Sequence, residues 1–267
     1  MEHPVFISTE ELQELIDAKS VQILDSGMDH KYYYLENHIP EAIYFDICEI
    51  KSKTSSLSTD FPSLGEFGQY MIQRGIRCSG VKTVIYDQNG VVMSGRCWFM
   101  MRHFGVTDAM ILNGGLVKWT AEGRPVEGGE RMVLQDLGED DFNFHESHYK
   151  QFRVLYPEVN KLSEEIEAGR TDTTLWDCRP TEVYEEGTIR TAKNLPLWNF
   201  LNPDKTVKPK EQVLEIIKSR VGSNNLIVSC MKGVVACFGF AMMTYSEYPC
   251  RRIYTGSYEE WCKMKSL

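Results

Sequence analysis

The chain of 267 residues carries 29 Lys and Arg against 38 Asp and Glu, a net charge of −9, with 42% hydrophobic residues. It is long enough for one large domain or two of ordinary size, with the composition of a soluble globular protein. The acidic balance, unbroken by any basic run, argues against a nucleic-acid partner, and apolar windows of about ten residues are too short to span a bilayer. Eight cysteines in a chain of this size do not suggest a disulfide scaffold, and Met1-Glu-His-Pro4 does not open a secretory signal. Four acidic residues among the first fourteen count against a mitochondrial presequence. The expectation is a reducing compartment, the cytosol by default and the mitochondrion as the alternative.

Taken in order, Ser8-Thr-Glu-Glu11 is a capping box that opens an amphipathic helix to about Ala18, and Val21–Asp25 reads as a strand. His38-Ile-Pro-Glu-Ala-Ile-Tyr-Phe-Asp46 gives a loop and a short strand. Polar Lys51–Asp60 reads as a surface loop, and Gly65–Gly75 as a helix. Lys82–Tyr86 is a buried strand, followed by Asp87-Gln-Asn-Gly-Val-Val92 and the apolar helix Arg96–Phe104. A strand at Ala109–Leu112 runs into Asn113-Gly-Gly-Leu-Val-Lys-Trp119, which turns into a last helix.

The second half repeats this order. A helix near Pro157–Ala168 precedes the strand Thr174–Asp177, and Gly187–Pro196 matches the His38 segment. Gln212–Arg220 reads as a helix, Leu226–Ser229 and Arg251–Tyr254 as strands, and Thr255-Gly-Ser-Tyr-Glu-Glu-Trp261 matches Asn113–Trp119. Equivalent positions lie 152 residues apart at Asp25 and Asp177, 143 at Asp87 and Cys230, and 142 at Trp119 and Trp261. Such slowly drifting offsets are what duplication followed by loop trimming leaves. The fold class is therefore α/β, with two tandem domains, each a mostly parallel sheet with helices on both faces. The first domain spans 1–130 and the second 154–267. Residues 131–153 are acidic and read as a linker, in which His145 and His148 are solvated rather than metal ligands.

The duplication points to Cys230. Leu226–Ser229 is a strand, Cys230-Met-Lys-Gly233 a turn, and Val234–Met243 a buried helix. A loop of this kind can aim backbone N–H groups at the cysteine sulfur, and the helix N-terminus adds positive potential. Both favour the nucleophilic thiolate, and Lys232 adds a full charge two residues on. The alternative is a structural cysteine at the end of a core strand. In the first repeat the same place is held by Asp87, which cannot accept a sulfur atom. The first domain is then a non-catalytic partner, and the cleft is expected against the interface between domains. Cys97 and Cys237 fall on apolar helices and read as core; Cys178 stands out among the rest because Asp177-Cys-Arg179 is a candidate lining of the cleft, and a resolving role for it or for Cys237 is a remote option. Trp119 and Trp261 read as core packing.

With those residues in view, the chain resembles the tandem-domain rhodanese-type sulfurtransferases, the thiosulfate and 3-mercaptopyruvate sulfurtransferase family. The resemblance rests on His38-Ile-Pro-x-Ala, on Asn113-Gly-Gly-Leu-x-Lys-Trp119 with Gly123-Arg-Pro125, and on Cys230-x-x-Gly-Val-x-Ala236, and it covers nearly the whole chain. It implies a persulfide on Cys230, loaded by a small anionic sulfur donor and unloaded by cyanide or a thiol acceptor, which includes thiols on proteins. The loop from Met231 through Lys232, Gly233, Val234 and Val235 to Ala236 would supply the amide cradle. The chemistry agrees, since a nucleophile that stores the transferred group splits one hard step into two, and amides that hold a thiolate also hold an anionic persulfide. No metal or organic cofactor is implied, nor any membrane or nucleic-acid partner.

The departures bear on substrate. Thiosulfate-using members carry Cys-Arg-Lys-Gly-Val-Thr and mercaptopyruvate-using members Cys-Gly-Ser-Gly-Val-Thr; here Met231 and Val235 replace the arginine and threonine, while Lys232 agrees with the first type. Asp177-Cys-Arg179 retains an Asp-x-Arg element, but the arginine expected four residues on is Val183. The Asp of the mercaptopyruvate type is replaced by Cys48. Arg179 and Arg190, with Lys193, are candidate anion contacts; Arg179 is equally readable as a structural ion-pair partner, and the other two as surface charges. Thiosulfate is the expected donor and mercaptopyruvate the second choice. A weakly active or inactive module that binds a partner or senses redox state is the alternative. A cysteine phosphatase is set aside, because its phosphate-holding arginine would fall at Ala236.

Overall fold

The computed structural model describes residues 4–28, 31–131, 139–222 and 224–266, with the side chains of residues 139 and 140 left undescribed. The chain divides into two compact units, and each holds one five-stranded sheet.

In the first unit the elements are β1 (Phe6–Ile7), α1 (Thr9–Asp17), β2 (Val21–Gly27), α2 (Lys31–Glu36), β3 (Ile43–Asp46), α3 (Leu64–Arg74), β4 (Lys82–Tyr86), α4 (Ser94–His103), β5 (Met110–Leu112) and α5 (Gly115–Ala121). All ladders are parallel and the strand order is β1-β5-β4-β2-β3. Two capping boxes start helices where the sequence places them. Ser8 and Glu11 exchange side-chain and backbone hydrogen bonds at α1, and Ser63 and Glu66 do so at α3. A parallel sheet needs a crossover after each strand, and helices on both faces then bury it. One face packs Leu12 of α1, Tyr34 of α2 and Leu116 and Trp119 of α5 against Ile23, Val84 and Leu112. Every residue of α4 is buried, which is why its sequence shows little amphipathic pattern.

The second unit repeats the plan. Its elements are β6 (Arg153–Val154), α6 (Tyr156–Glu167), β7 (Thr173–Asp177), α7 (Thr181–Glu185), β8 (Lys193–Asn194), α8 (Lys210–Arg220), β9 (Asn225–Ser229), α9 (Ala236–Tyr245), β10 (Cys250–Tyr254) and α10 (Ser257–Lys265). The strand order is β6-β10-β9-β7-β8, again all parallel, and under the duplication it is the order of the first sheet. β9 is the central strand, and the direction of winding reverses between β9 and β7. In open α/β sheets the carboxyl ends of the strands at such a reversal are where ligands bind. Helices α2 and α7 were not expected from the sequence; five or six residues give too little periodicity to register.

Three sequence expectations need correction. Residues Thr54–Asp60, read as a surface loop of the first domain, belong to the second unit. The Ser58 amide and hydroxyl donate to the Glu259 carboxylate, the hydroxyl at 2.7 Å, and the Thr59 hydroxyl donates to the Lys232 carbonyl at 2.6 Å. Conversely, Asn202–Val207 belongs to the first unit, where the Val207 amide donates to Asn113 Oδ1 at 2.8 Å. The segment 131–153 is not a solvated linker throughout. The described part up to Tyr149 packs on the first unit: the Cys78 amide donates to the Asp141 carbonyl at 2.7 Å, the His145 amide donates to the Phe104 carbonyl, and Arg102 Nη1 donates to the buried Tyr149 hydroxyl at 2.9 Å. Residues 132–138 of that segment lie outside the described residues.

Candidate active site

Cys230 immediately follows β9, at the carboxyl end of the central strand, and is only 1% exposed. Three backbone features build the turn around it. The Gly233 amide donates to the Cys230 sulfur at 3.1 Å, and the amides of Lys232 and Ala236 also point at it, the latter from the first residue of α9. Gly233 has φ +75°, and a Cβ placed there would lie 1.8 Å from the Thr255 carbonyl oxygen, so glycine alone fits. The Cys230 and Met231 carbonyls accept the Tyr258 and Glu259 amides at 3.0 and 2.8 Å, which docks the Thr255–Glu259 turn against the loop.

Two further groups reach the sulfur from the neighbouring segments. The Asp177↔Ser229 pairing ends the β7–β9 ladder, so Cys178 and Cys230 are the next residues on adjacent strands, and the Cys178 amide still donates to the Ser229 carbonyl at 3.0 Å. The Cys178 thiol is near enough to the Cys230 sulfur to favour its thiolate. Ser257 accepts the Cys230 amide at 3.0 Å, and its hydroxyl lies 3.8 Å from the sulfur and 2.9 Å from the Tyr254 carbonyl. Ser257 holds φ +53°, an uncommon conformation for a residue with a Cβ; its equivalent in the first repeat is Gly115, at φ +57°. Serine in the place of glycine is thus retained at a strained position that delivers a hydroxyl to the cysteine.

These contacts decide the ionisation. Burial alone would push the Cys230 thiol up, but the Cys178 thiol, the Ala236 and Lys232 amides and the Ser257 hydroxyl outweigh it and bring its pKa down to about 6. At neutral pH the sulfur is a thiolate. Cys178 moves the opposite way, well above the ordinary thiol value, because it is buried and close to Cys230 and that negative charge. The pair shares one proton, held by Cys178.

Lys232 contributes differently from expectation. Its side chain is exposed, and its amide, rather than its ammonium, is among the groups that lower the thiol. Met231 is also exposed, Gly233 and Val234 are buried, and Val235 is half-buried at the start of α9. Arg179 is 2% exposed and is an ion-pair partner: Nε donates to Asp177 Oδ1 at 2.9 Å, Nη2 donates to Oδ2 at 2.6 Å, and Nη2 also donates to the Gly187 carbonyl. Its Nη1 has no hydrogen-bond partner among the described residues, and its charge is felt by Cys230. Arg190 is not drawn into this cluster. Its guanidinium is half-exposed and paired with Glu167 at 2.8 Å, and Lys193 instead donates to the Val221 carbonyl. An exposed arginine with a carboxylate one helix away takes that partner, which sequence distance does not reveal.

The first repeat shows what the same loop does without a cysteine. The Asp87 carboxylate accepts the Asn89 and Met93 amides at 2.8 and 2.9 Å, so its own side chain fills the cradle. Asp25, the counterpart of Asp177, has no arginine ion-pair partner among the described residues; burial raises its pKa to about 7 against the Tyr86 and Gln88 hydrogen bonds. Among the described residues no group of three His, Cys, Asp or Glu could hold a metal ion, and no helix is long and apolar enough to cross a membrane. Sequence reasoning missed Ser257, for which the signal was the Thr255-Gly-Ser match to Asn113-Gly-Gly. It left open the role of Cys178, whose place opposite Cys230 follows from the strand order.

A profile of the rhodanese-like domain matches residues 8–122 and again 158–264. The chain belongs to the rhodanese-like domain family. It is 28% identical to the thiosulfate sulfurtransferase of Rattus norvegicus, over 96% of this chain and 91% of the relative. To the 3-mercaptopyruvate sulfurtransferase of Escherichia coli K12 it is 29% identical, over 96% and 94%. Among solved structures, SseA from Escherichia coli, described as a 3-mercaptopyruvate sulfotransferase, superposes with a TM-score of 0.83 at 27% identity, covering 96% of this chain and 99% of that one. The Tum1 protein of Saccharomyces cerevisiae, at 21% identity and a TM-score of 0.86, shares the fold.

Proposed function

We propose that this rhodanese-family chain is a sulfurtransferase that carries sulfane sulfur as a persulfide on Cys230. The observation that carries the reading is the Cys230 sulfur itself: buried, ringed by the amides of Lys232, Gly233 and Ala236, and ionised with a pKa of about 6. In the first half-reaction the thiolate attacks the transferable sulfur of the donor: with thiosulfate the S–S bond breaks and sulfite leaves, and with 3-mercaptopyruvate the C–S bond breaks and pyruvate leaves as its enolate, which takes up a proton. The charge then sits on the outer persulfide sulfur, where the same amides and the Ser257 hydroxyl stabilise it without reorganising. In the second half-reaction cyanide or a thiol attacks that outer sulfur and Cys230 leaves as the thiolate the cradle already favours.

Thiosulfate is our first choice of donor and 3-mercaptopyruvate the second. The relatives bear both names. Arg179, with its unpartnered Nη1 and its charge close to Cys230, is the candidate inner anion contact, and Lys232 on the exposed rim the outer one. The test is intact-protein mass after incubation with each donor, beside a Cys230→Ser control. A gain of one sulfur atom in the wild type only is expected; no gain with either donor sinks the reading.

A further inference from the structure

We propose that Cys178 and Cys230 form a reversible disulfide, which makes this pair an oxidation site that shields the nucleophile and switches it off. The inference rests on the reading of Cys230 as a reactive thiolate. It starts from placement. The two cysteines are the residues directly after the register pair Asp177↔Ser229 on adjacent parallel strands, and the amide of Cys178 continues that ladder to Ser229. Neighbouring strands run about 5 Å apart, within the roughly 4.4–6.8 Å between Cα atoms that a disulfide spans. The two thiols influence each other's ionisation, and each residue is only 1% exposed. This placement is compatible with a disulfide between the two residues.

Cys237 is the rival partner, and the structure disfavours it. It sits in α9 rather than beside Cys230 across a strand ladder, and its thiol donates to the Gly233 carbonyl at 3.3 Å. The remaining cysteines of the second unit, Cys250 and Cys262, lie at the start of β10 and near the end of α10.

The chemistry balances with a peroxide as oxidant. The Cys230 thiolate attacks one peroxide oxygen, the O–O bond breaks, and the departing hydroxide takes up a proton and leaves as water. Cys230 is now a neutral sulfenic acid, oxidised by two electrons. The Cys178 sulfur then attacks Cys230 Sγ, the S–S bond forms, the S–O bond breaks, and the Cys178 proton leaves with the hydroxide as a second water. Losing the negative charge at Cys230 removes one of the influences that keep Cys178 protonated, so oxidation of the first thiol activates the second. A dithiol reductant restores both thiols by exchange. Hydrogen peroxide is smaller than the donor the site is proposed to admit, so access is not a further requirement.

The experiment treats the full-length protein with hydrogen peroxide, with and without later dithiothreitol, and reads intact mass, linked peptides and sulfur-transfer activity. The wild type is expected to lose two hydrogens, yield a Cys178–Cys230 linked peptide, lose activity and regain it fully with dithiothreitol. Cys178→Ser, with no thiol beside Cys230 to capture the sulfenic acid, is expected to oxidise on to the sulfinic acid at Cys230, a gain of two oxygens, and to stay inactive after dithiothreitol. An oxygenated Cys230 with no linked peptide in the wild type, or a link from Cys230 to Cys237, overturns the proposal; peptide mapping on the wild type decides this even if Cys178→Ser folds poorly. If iodoacetamide fails to alkylate Cys230 as well, it is the reading of Cys230 as nucleophile that has failed, and the proposal falls with it.

Discussion

Gly233→Ala tests whether backbone amides hold the thiolate. At φ +75° an alanine carries the left-handed penalty of about 1–2 kcal/mol. In addition its Cβ would sit 1.8 Å from a backbone oxygen of Thr255, so the turn must move. The 3.1 Å hydrogen bond from the residue 233 amide to the Cys230 sulfur is then the first to break. A hydrogen bond to a charged group contributes about 1.5–3 kcal/mol, and about 1.4 kcal/mol corresponds to one pKa unit, so the thiol should rise by about one to two units. From about 6 in the wild type, that places it near 7 to 8. The thiolate share at pH 7 then falls from about nine-tenths to between a half and a tenth, and the alkylation rate falls about two- to tenfold. The assay is iodoacetamide modification of Cys230 followed by mass across pH 5 to 10, with a thermal melt to show that the variant folds. A folded variant whose rate profile keeps its midpoint near 6 refutes the idea that the amides of this turn hold the thiolate.

Ser257→Ala removes the acceptor of the Cys230 amide and one donor to its sulfur; we expect a loss of about 1–3 kcal/mol in chemical denaturation together with an upward move of the alkylation midpoint, and an unmoved midpoint would make Ser257 purely structural. The pH dependence of stability has a definite sign. Cys230, lowered from 9.0 to about 6, adds stability above its unfolded value that is lost as pH falls through about 6, whereas Cys178, raised above 9.0, makes the fold lose stability as pH rises past its unfolded value. The difference in unfolding free energy between wild type and Cys230→Ser should therefore climb from about pH 6 to 9, and a flat difference contradicts the thiolate. Asp87→Cys should gain no second sulfur atom by mass, because the first cradle has Ser26 and Gly115 where the second has Cys178 and Ser257. Met231→Arg, which puts a cation on the exposed rim of the cradle, is expected to raise kcat/KM for thiosulfate about ten- to a hundredfold; no change there, with none in Arg179→Ala, would remove thiosulfate as donor.

Much of this protein is determined by the order of its residues along the chain. Period-two and period-3.6 patterns, the capping boxes at Ser8 and Ser63, and the repeated Asn113-Gly-Gly and Thr255-Gly-Ser turns are local features, and local features set the strands, the helices and the duplication. The Cys-x-x-Gly turn at Cys230 is equally local, since a glycine with positive φ is needed to fold amides back onto a side chain three residues earlier. The tertiary structure decided which distant groups complete the site. Cys178, 52 positions before Cys230, is set opposite it by the strand order β9-β7, and Ser257 is delivered by the turn after β10. It also decided the fate of the arginines. Arg179 is held by Asp177 at the end of the same strand, and Arg190 by Glu167 of α6. Charge and hydrogen bonding act through space over a few ångströms, so which carboxylate claims an arginine, and which thiol keeps the shared proton, depends on neighbours that sequence spacing does not name.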